Sequence, residues 1–316
     1  MKRLVVVVSA VMVLSCGQRM REVKRSGQAF GSYVLIRAQG EDVGRLNLAV
    51  DSVMNMFARF NRLWSVYSES SEVSLLNRQG RAQVSAETRD LILLGVEFGK
   101  RTQGVFDITV GPLMRLWGFR RGDYRLPDRE EVERVKRAVG YQRVKVQGDS
   151  VFLEPGMELD LGGIAVGYAL DRAVLVLKAL GATAGLIDAG GDIVVFGERE
   201  WRIGIQSPRG ESVVGVLVLK NQAVSTSGDY RRFFESGGRR FSHIIDPRTG
   251  FPAERCAAVT VVARTGIEAD VFSTSLFVTG PDAGQEFLQA DSGLRAIFYV
   301  VKGDSLVRVE LKGGGS

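Results

Sequence analysis

The chain has 316 residues, of which 45% are hydrophobic and 25% charged, so it is long enough for one large core or two fused lobes. Its net charge of +6 comes from 42 basic and 36 acidic residues without clustered Lys/Arg runs, which excludes a nucleic-acid surface. The sequence contains one histidine, His243, which excludes a multi-histidine zinc site.

The N-terminus reads as an export signal. Lys2 and Arg3 precede an apolar run that ends at Leu14, well short of the roughly 20 residues needed to span a bilayer. Residues 1–16 are therefore predicted to be a signal peptide. The run ends in Leu14-Ser15-Cys16-Gly17, which resembles a bacterial lipobox, so Cys16 is expected to carry lipid and to anchor the chain on the periplasmic side of a bacterial membrane. A plain secretory signal is the alternative.

The remaining chain divides into three predicted parts. Residues 17–28 are polar and basic without apolar periodicity, so we expect a tether; residues 29–312 form the folded domain, and residues 313–316 a disordered tail. If Cys16 carries lipid, Cys256 has no partner and the fold contains no disulfide.

Periodicity and end signals predict the elements in chain order. The first half is predicted to contain a strand near 33–37, a helix over 43–63, a helix capped by Ser85, a helix opened by the Asp128/Glu131 capping box, and a hairpin around Gly148-Asp149. The second half is predicted to contain a helix over 164–180, strands at 185–188, 193–196, 201–206, 213–219 and 259–263, a helix to about Val278, and a hairpin over 295–311. The irregular alternation predicts an α+β fold, a single compact two-lobed domain with mixed sheets and flanking helices.

The only histidine lies in Ser242–Pro252. Asp246 and Pro247 suit the first positions of a type I turn, and Gly250 would relieve strain beyond it. A turn is therefore one interpretation of the segment. The other is a functional loop, because His243 provides a single imidazole that titrates near neutral pH.

The segment Asp160–Asp171 combines a carboxylate, two glycines and the start of a predicted helix. Free amides and a helix N-terminus make it a natural cradle for phosphate. A close helix-to-strand packing turn is the alternative, and the spacing is not that of a dinucleotide fingerprint.

Two shorter polar segments each allow a structural and a functional interpretation. Asp188–Asp192 has two carboxylates around a Gly pair between apolar strands, which favours a hairpin turn. Ser225–Arg232 is dense in hydroxyls and ends in two arginines, so it is predicted either to bind phosphate or ribose or to be a polar loop.

Asp270 and Thr274 are four residues apart on a predicted helix, so their oxygens face the same way. One carboxylate, one hydroxyl and a nearby carbonyl would leave Mg²⁺ its waters and substrate phosphates. A carboxylate at a helix N-terminus with a back-bonded Thr is the alternative.

Together these segments resemble the ApbE family of FAD:protein FMN transferases, over about Phe30 to Leu288. The matching motifs are Phe57–Asn77, Phe106–Leu113, Trp117-Gly118-Phe119, Asp160–Asp171, Asp188–Asp192, Ser225–Tyr230, Ser242–Pro252 and Asp270–Thr274. The resemblance implies that the Gly163 carbonyl, Asp270 and Thr274 hold Mg²⁺. It also implies an FAD site lined by Phe30, Tyr67, Phe106, Asp107, Ile108, Asp160, Val166 and Ile244.

Two positions depart from the family pattern. Many members have Lys where this chain has Val166, so one charge contact to FAD is expected to be absent. The early Met-Gly-Thr of many members is replaced by Phe30-Gly31-Ser32, which keeps an apolar wall and changes its shape.

The activity implied by the resemblance is transfer of FMN from FAD to a Ser or Thr hydroxyl of an exported or membrane flavoprotein, with release of AMP. His243 is expected to be the general base, with an unperturbed pKa of about 6.5. Hydrolysis of FAD to FMN and AMP, or FAD binding without chemistry, are the alternatives.

Overall fold

An eight-stranded antiparallel sheet forms the centre of the protein in the computed structural model, which describes residues 20–289, 293–303 and 305–314. The strands are β1 (Arg21–Ala29), β2 (Ser32–Gly40), β3 (Arg81–Gln83), β4 (Lys145–Gln147), β5 (Ser150–Phe152), β6 (Ala184–Ala189), β7 (Asp192–Phe196), β8 (Trp201–Gln206), β9 (Val213–Leu219), β10 (Gln222–Gly228), β11 (Phe233–Ser236), β12 (Arg239–Ser242), β13 (Ala258–Ala263), β14 (Arg295–Lys302) and β15 (Ser305–Lys312). The order in the large sheet is β1-β2-β6-β7-β10-β13-β14-β15.

The helices of the described residues are α1 (Val43–Trp64), α2 (Glu72–Gln79), α3 (Ala86–Arg101), α4 (Gly111–Leu116), α5 (Arg129–Lys136), α6 (Ala165–Ala179) and α7 (Gly266–Gln289), with a 3₁₀ turn at Tyr141–Arg143. Helices α1, α6 and α7 cover one face of the large sheet. The apolar sides of α1, α6 and α7 pack on the sheet and form the main core. A kink divides α7 at Gly280, whose φ is 73°, immediately before Pro281.

The hairpin β8–β9 covers the opposite face of the sheet. Trp201 and Leu217 from the hairpin pack with Val195 and Tyr299 from the sheet, which makes a second, smaller core. The outer side of β9 leaves valines exposed.

A third cluster lies beside the main core. It contains Trp117, Phe119, Val132, Phe241 and Ile245, and so joins the segment after α4 to helix α5 and strand β12. Strands β3, β5 and β4 form a separate small sheet in that order. Within it, β4 and β5 are the predicted hairpin.

The α+β prediction is confirmed, and most predicted elements are present. Ser85 Oγ accepts from Thr88 N at the start of α3. Asp128 and Glu131 form the capping box of α5, which ends at Lys136, earlier than the predicted stop. The C-terminal hairpin is β14–β15.

The predicted tether is wrong where the structure describes it, because Arg21–Ala29 is the edge strand β1 and pairs with β2. Most of its side chains are exposed, since an edge strand needs no apolar face, and this removes the periodicity that identifies strands. Glu22 binds Arg37 at 2.8 Å and Arg199 at 3.2 Å, which fixes the charged start of the strand.

The hydroxyl-rich segment is not a polar loop up to Gly228, because these residues form strand β10. Its other interpretation, the binding of phosphate or ribose, stays a prediction. Thr226 Oγ1 lies 2.9 Å from Thr260 Oγ1 on β13, so hydroxyls satisfy each other inside the sheet. Helix α2 was not predicted. The first two residues of the predicted disordered tail are bonded, since Gly313 N donates to Leu294 O at 2.8 Å and Gly314 N to Leu288 O at 3.3 Å.

The predicted signal peptide over 1–16 lies outside the described residues. Within the described part, no helix combines the length and the apolarity that crossing a bilayer requires. Cys256 is a buried free thiol.

Candidate active site

A cavity of about 570 Å³ lies where the start of β7 and the end of β10 meet the first turns of α6 and α7. Its volume is in the range of small-molecule sites. Every residue predicted for the site except Ile108 lines it, namely Phe30, Tyr67, Phe106, Asp107, Asp160, Gly163, Val166, His243, Ile244, Asp270 and Thr274.

Close contact between α6 and α7 brings the predicted metal ligands together. A Cβ at Gly167 would stand 2.4 Å from Gly266 O and 2.8 Å from Asp270 Cβ, so this crossing requires glycine. The Asp171 carboxylate accepts from Gly266 N at 2.6 Å and from Ile267 N at 2.9 Å, and thereby caps α7. Helix α6 therefore fixes the first turn of α7 and the position of Asp270.

Asp270 and Thr274 present oxygens with spare acceptor capacity to the cavity. Gly167 N donates to Asp270 Oδ2 at 3.0 Å, and Oδ1 has no donor among the described residues. Ser275 Oγ bonds back to its helix at 2.8 Å, whereas Thr274 Oγ1 forms no such bond in the described part of the chain. A Cβ at Gly163 would lie 3.3 Å from Thr274 Oγ1, so the Gly163 backbone approaches the same point. The back-bonded Thr that we considered is therefore absent.

Negative charge accumulates at this end of the cavity. Burial raises the pKa of Asp270 well above its usual range, and the neighbouring Asp192 and Asp171 carboxylates raise it further. Burial also raises the pKa of Asp192 to about 6, although Ser225 and Arg231 favour its charged form. A bound cation would relieve this repulsion.

The donor set fits Mg²⁺ in chemistry. Within the described ranges, no three or more His, Cys, Asp or Glu side chains are placed to share a metal ion. The oxygens at this point come instead from one carboxylate, one hydroxyl and one backbone, which are hard ligands of the kind Mg²⁺ uses while keeping waters.

A chain of hydroxyls connects β10 to α7. Ser273 Oγ lies 3.1 Å from Ser225 Oγ and 2.9 Å from Ser227 Oγ, and it donates to Asp270 O at 2.9 Å. Asp192, Ser225 and Ser227 also line the cavity. For Ser225 and Ser227 the sequence left a binding role open, whereas for Asp192 it favoured a hairpin turn, although the Gly-Gly pair before Asp192 was a signal that a carboxylate ends a turn there.

The segment around His243 forms the predicted turn. Thr249 N donates to Asp246 O at 3.2 Å, and Gly250 follows with a φ of 79°. Trp117 Nε1 donates a hydrogen bond to Gly250 O at 2.9 Å, which ties the turn to the residue that follows α4.

Stacked rings hold the hairpin that precedes this turn. The ring of Phe241 lies 5.7 Å from that of Trp117 and 5.1 Å from that of Phe234, which stacks on Tyr124 at 5.4 Å. We call Trp117, Tyr124, Phe234 and Phe241 the aromatic cluster. It fixes hairpin β11–β12, whose second strand ends directly before His243.

Two contacts with one carbonyl hold His243. Its backbone N donates to Arg232 O at 3.0 Å, and its ring Nδ1 lies 3.1 Å from the same oxygen. A carbonyl only accepts, so the ring contact is a hydrogen bond when Nδ1 carries the proton, which leaves Nε2 as the acceptor.

The predicted unperturbed pKa of His243 is wrong. Burial, with the Arg232 guanidinium as the second cause, lowers it to about 4. The Asp160 carboxylate acts in the opposite direction and does not compensate. The ring is therefore neutral at pH 7 and accepts protons weakly.

Apolar and aromatic side chains form the side of the cavity that was predicted to bind flavin. Phe30 adopts a φ of 53° in the β1–β2 turn and packs edge to face on Phe57 at 5.5 Å. Tyr67 is 64% exposed at the mouth, and Arg232 Cζ lies 5.9 Å from its ring centre. Val166 is half-buried on the first turn of α6.

Asp107 and Ile108 serve mainly to build the wall. Asp107 Oδ1 accepts from Thr109 N at 2.8 Å and from its hydroxyl at 2.6 Å, while Oδ2 accepts from Tyr141 N at 2.9 Å. The Ile108 side chain is fully buried and would contact a Cβ at Gly95 at 2.6 Å, so it does not reach the cavity. Ile108 is therefore the one predicted site residue that the structure does not place at this cavity.

Asp160 lies between the two ends of the cavity. Its Oδ1 accepts from Gly162 N at 3.0 Å, and its Oδ2 lies 3.9 Å from Arg120 Nε. Arg120 is held by Glu158 at 2.9 Å and by Leu159 O at 2.9 Å, and its buried Nε has no hydrogen-bond partner among the described residues.

Comparisons with known proteins identify the family of this chain. The sequence model of the ApbE family matches residues 30–298. The chain is 29% identical to the FAD:protein FMN transferase of Escherichia coli K12, over 96% of this chain and 93% of that protein. It is 32% identical to the protein of the same name from Klebsiella pneumoniae strain 342, over 87% of this chain and 83% of the relative.

Solved structures are similar along the whole fold. The ApbE protein of Thermotoga maritima superposes with a TM-score of 0.84 at 32% identity, covering 91% of this chain and 97% of that one. The apo form of the Pseudomonas stutzeri flavinyl transferase ApbE superposes with a TM-score of 0.83 at 31% identity, covering 93% and 95%. The chain described here is an enzyme of the transferase class and belongs to the ApbE family.

Proposed function

We propose that this enzyme is a Mg²⁺-dependent FAD:protein FMN transferase, which moves FMN from FAD to a Ser or Thr hydroxyl of a target flavoprotein and releases AMP. One observation carries the proposal: the available oxygens of Asp270 and Thr274 and the ring of His243 line one cavity. Relatives of similar length bear the name of this activity.

Gly163, through its carbonyl, and the side chains of Asp270 and Thr274 would hold Mg²⁺. The ion would supply charge neutralisation at the pyrophosphate of FAD. The first turn of α6 adds the positive end of a helix dipole at the same place. These groups act where negative charge develops during phosphoryl transfer.

The chemical step replaces the phosphoanhydride bond of FAD with a phosphodiester bond to the acceptor. The acceptor hydroxyl oxygen bonds to the flavin-side phosphorus, the P–O bond to the bridging oxygen breaks, and that oxygen leaves with AMP. His243 Nε2 takes the hydroxyl proton. Its low pKa keeps the ring unprotonated at neutral pH, and the imidazolium formed passes its proton readily to water.

The apolar wall would bind the isoalloxazine ring. Phe30, Tyr67, Phe106, Val166 and Ile244 offer surfaces for stacking and exclusion of water. Val166 contributes no charge where many relatives have Lys, so contacts to the phosphates depend more on the metal end.

The proposed location is the periplasmic side of a bacterial membrane, with lipid on Cys16. The support is the sequence of residues 1–16. Acceptors would then be exported or membrane flavoprotein subunits.

Two other activities use the same residues. Attack by water in place of the acceptor hydroxyl gives FMN and AMP, and requires the same metal and base. A protein that only binds FAD would not need available metal-binding oxygens next to an oriented imidazole, which argues against this alternative.

The test incubates soluble protein, begun after Cys16, with FAD and Mg²⁺, with and without a periplasmic extract that contains acceptors. We expect AMP in solution and FMN covalently on an acceptor band, dependent on both Mg²⁺ and extract. Equal free FMN and AMP would show a pyrophosphatase, and intact FAD under all conditions would contradict both reactions.

A further inference from the structure

Arg232 lies directly across a two-stranded ribbon from His243. Phe233 pairs with Ser242 at the end of hairpin β11–β12, and the next pair outward is Arg232 with His243. Side chains at opposite positions of an antiparallel ribbon point to the same side and lie within contact range. The hydrogen bond from His243 N to Arg232 O, 3.0 Å long, continues this pairing beyond the strands.

We propose that Arg232 is a positioning residue for His243: its backbone carbonyl selects the Nδ1–H tautomer, and its guanidinium places a positive charge on the same side of the ribbon as the imidazole. The catalytic meaning of this role depends on the proposed function, but the contact itself does not. The guanidinium lies 5.9 Å from the centre of the exposed Tyr67 ring, and both residues line the cavity.

The tautomer matters because it decides which nitrogen faces the substrate. The Nδ1 contact at 3.1 Å occupies one ring nitrogen with a carbonyl that cannot donate. Neutral histidine then has its free electron pair on Nε2, the nitrogen that can accept a proton from the cavity.

Other charged groups around the ring do not replace Arg232. Asp160, from the segment before α6, favours the imidazolium, and Arg120 lies 3.9 Å from that carboxylate and partly offsets it. Phe119 is the aromatic neighbour, with ring centres 6.5 Å apart, and carries no charge. Removal of the Arg232 charge should therefore raise the pKa of the imidazole.

The single histidine permits a direct measurement. In protein without a histidine tag, the imidazole gives one set of NMR resonances, and their pH titration reports its pKa without any activity assay. We expect the pKa of the wild type to lie far below 6.5, to rise by about 1 unit in Arg232→Gln, and to remain low in Arg232→Lys. Arg231→Gln is the matched control, because Arg231 is oriented towards Gly191 and its loss should leave the pKa unchanged.

The ¹⁵N shifts of the ring at neutral pH report the tautomer in the wild type and in each variant. We expect Nδ1–H in all of them, since the contact uses a backbone carbonyl. An unchanged pKa in Arg232→Gln, or an Nε2–H ring in the wild type, would overturn the proposal.

The pH dependence of FMN transfer tests the role of His243 as general base separately from the effect of Arg232 on the pKa of His243. The acid limb of kcat/KM should move with the NMR pKa in Arg232→Gln. A shift in the NMR pKa without a shift in the acid limb would leave the contact intact and refute His243 as the base.

Discussion

The two ends of the cavity differ in how the protein supports them. Asp270 and Thr274 are on a long helix packed in the main core, whereas His243 is on a turn supported by the aromatic cluster. The metal end is fixed by a capped helix and a glycine contact between backbones, and the base end by ring stacking and one indole hydrogen bond.

This difference implies that the two ends can be damaged separately. A change in the aromatic cluster should misplace His243 and leave the metal site intact, and a change in α7 should do the reverse. Each prediction below tests whether the ends are as independent as their packing indicates.

The largest effect is expected at the metal end. Asp270→Asn removes the carboxylate and should lower the rate of FMN transfer by about 10³-fold, because several kcal/mol of charge stabilisation is lost. The metal-free variant should melt at or above the temperature of the wild type, since a buried charge is removed, and Mg²⁺ should no longer raise that temperature. Asp282→Asn, on the exposed part of the same helix, is the control. Full Mg²⁺-dependent transfer by Asp270→Asn would exclude this site.

At the other end, His243→Ala should lower transfer by about 10²- to 10⁴-fold, the usual contribution of a general base. Binding of FAD and the thermal shift caused by Mg²⁺ should not change, because neither depends on this ring. Calorimetry and product chromatography measure the two quantities. Loss of metal binding in this variant would show that the ends are coupled.

A smaller effect is expected from the support of the base end. Trp117→Phe keeps a ring in the stack and removes the hydrogen bond to Gly250 O, so transfer should fall by about 10-fold through misplacement of His243. Trp201→Phe, on the opposite face of the sheet, is matched in volume and has no hydrogen bond to lose among the described residues. If both variants lose the same activity, the cause is general destabilisation and not the position of the turn.

The smallest effect concerns stability at acid pH. The unfolded chain binds a proton at His243 with an ordinary pKa near 6.5, while the folded ring does so near 4, so stability falls as pH decreases through this window. His243→Gln should remove this loss, by about 1 kcal/mol after discounting for water in the cavity. Asp171 and Asp192, each with its pKa raised to about 6, act in the opposite direction in both proteins and cancel in the difference. Denaturant titrations at pH 7 and pH 4.5 measure it, and equal losses in the two proteins would contradict the prediction.

Much of the site could be predicted because its signals are local. Spacing of four on a helix put Asp270 and Thr274 on one side, and Asp246-Pro247 with Gly250 indicated the turn after His243. These features depend on residues close together in the chain, which sequence patterns record directly.

What could not be predicted depends on long-range neighbours. The pKa of His243 is set by its burial and by Arg232, eleven positions away in the chain, and neither leaves a pattern in the sequence. Strand β10 was not recognised because its hydroxyls are satisfied by partners on β13 and α7, which only the sheet brings near. Strand β1 was read as a tether because an edge strand keeps both faces polar.

If Cys16 carries the proposed lipid, strand β1 also limits where the enzyme can work. Because the sheet begins at Arg21, five residue steps separate it from Cys16, and five steps reach at most about 18 Å. A lipidated enzyme with so short a linker would encounter its acceptors by lateral diffusion in the plane of the membrane. Soluble acceptors would have to come to the bilayer surface to receive their flavin.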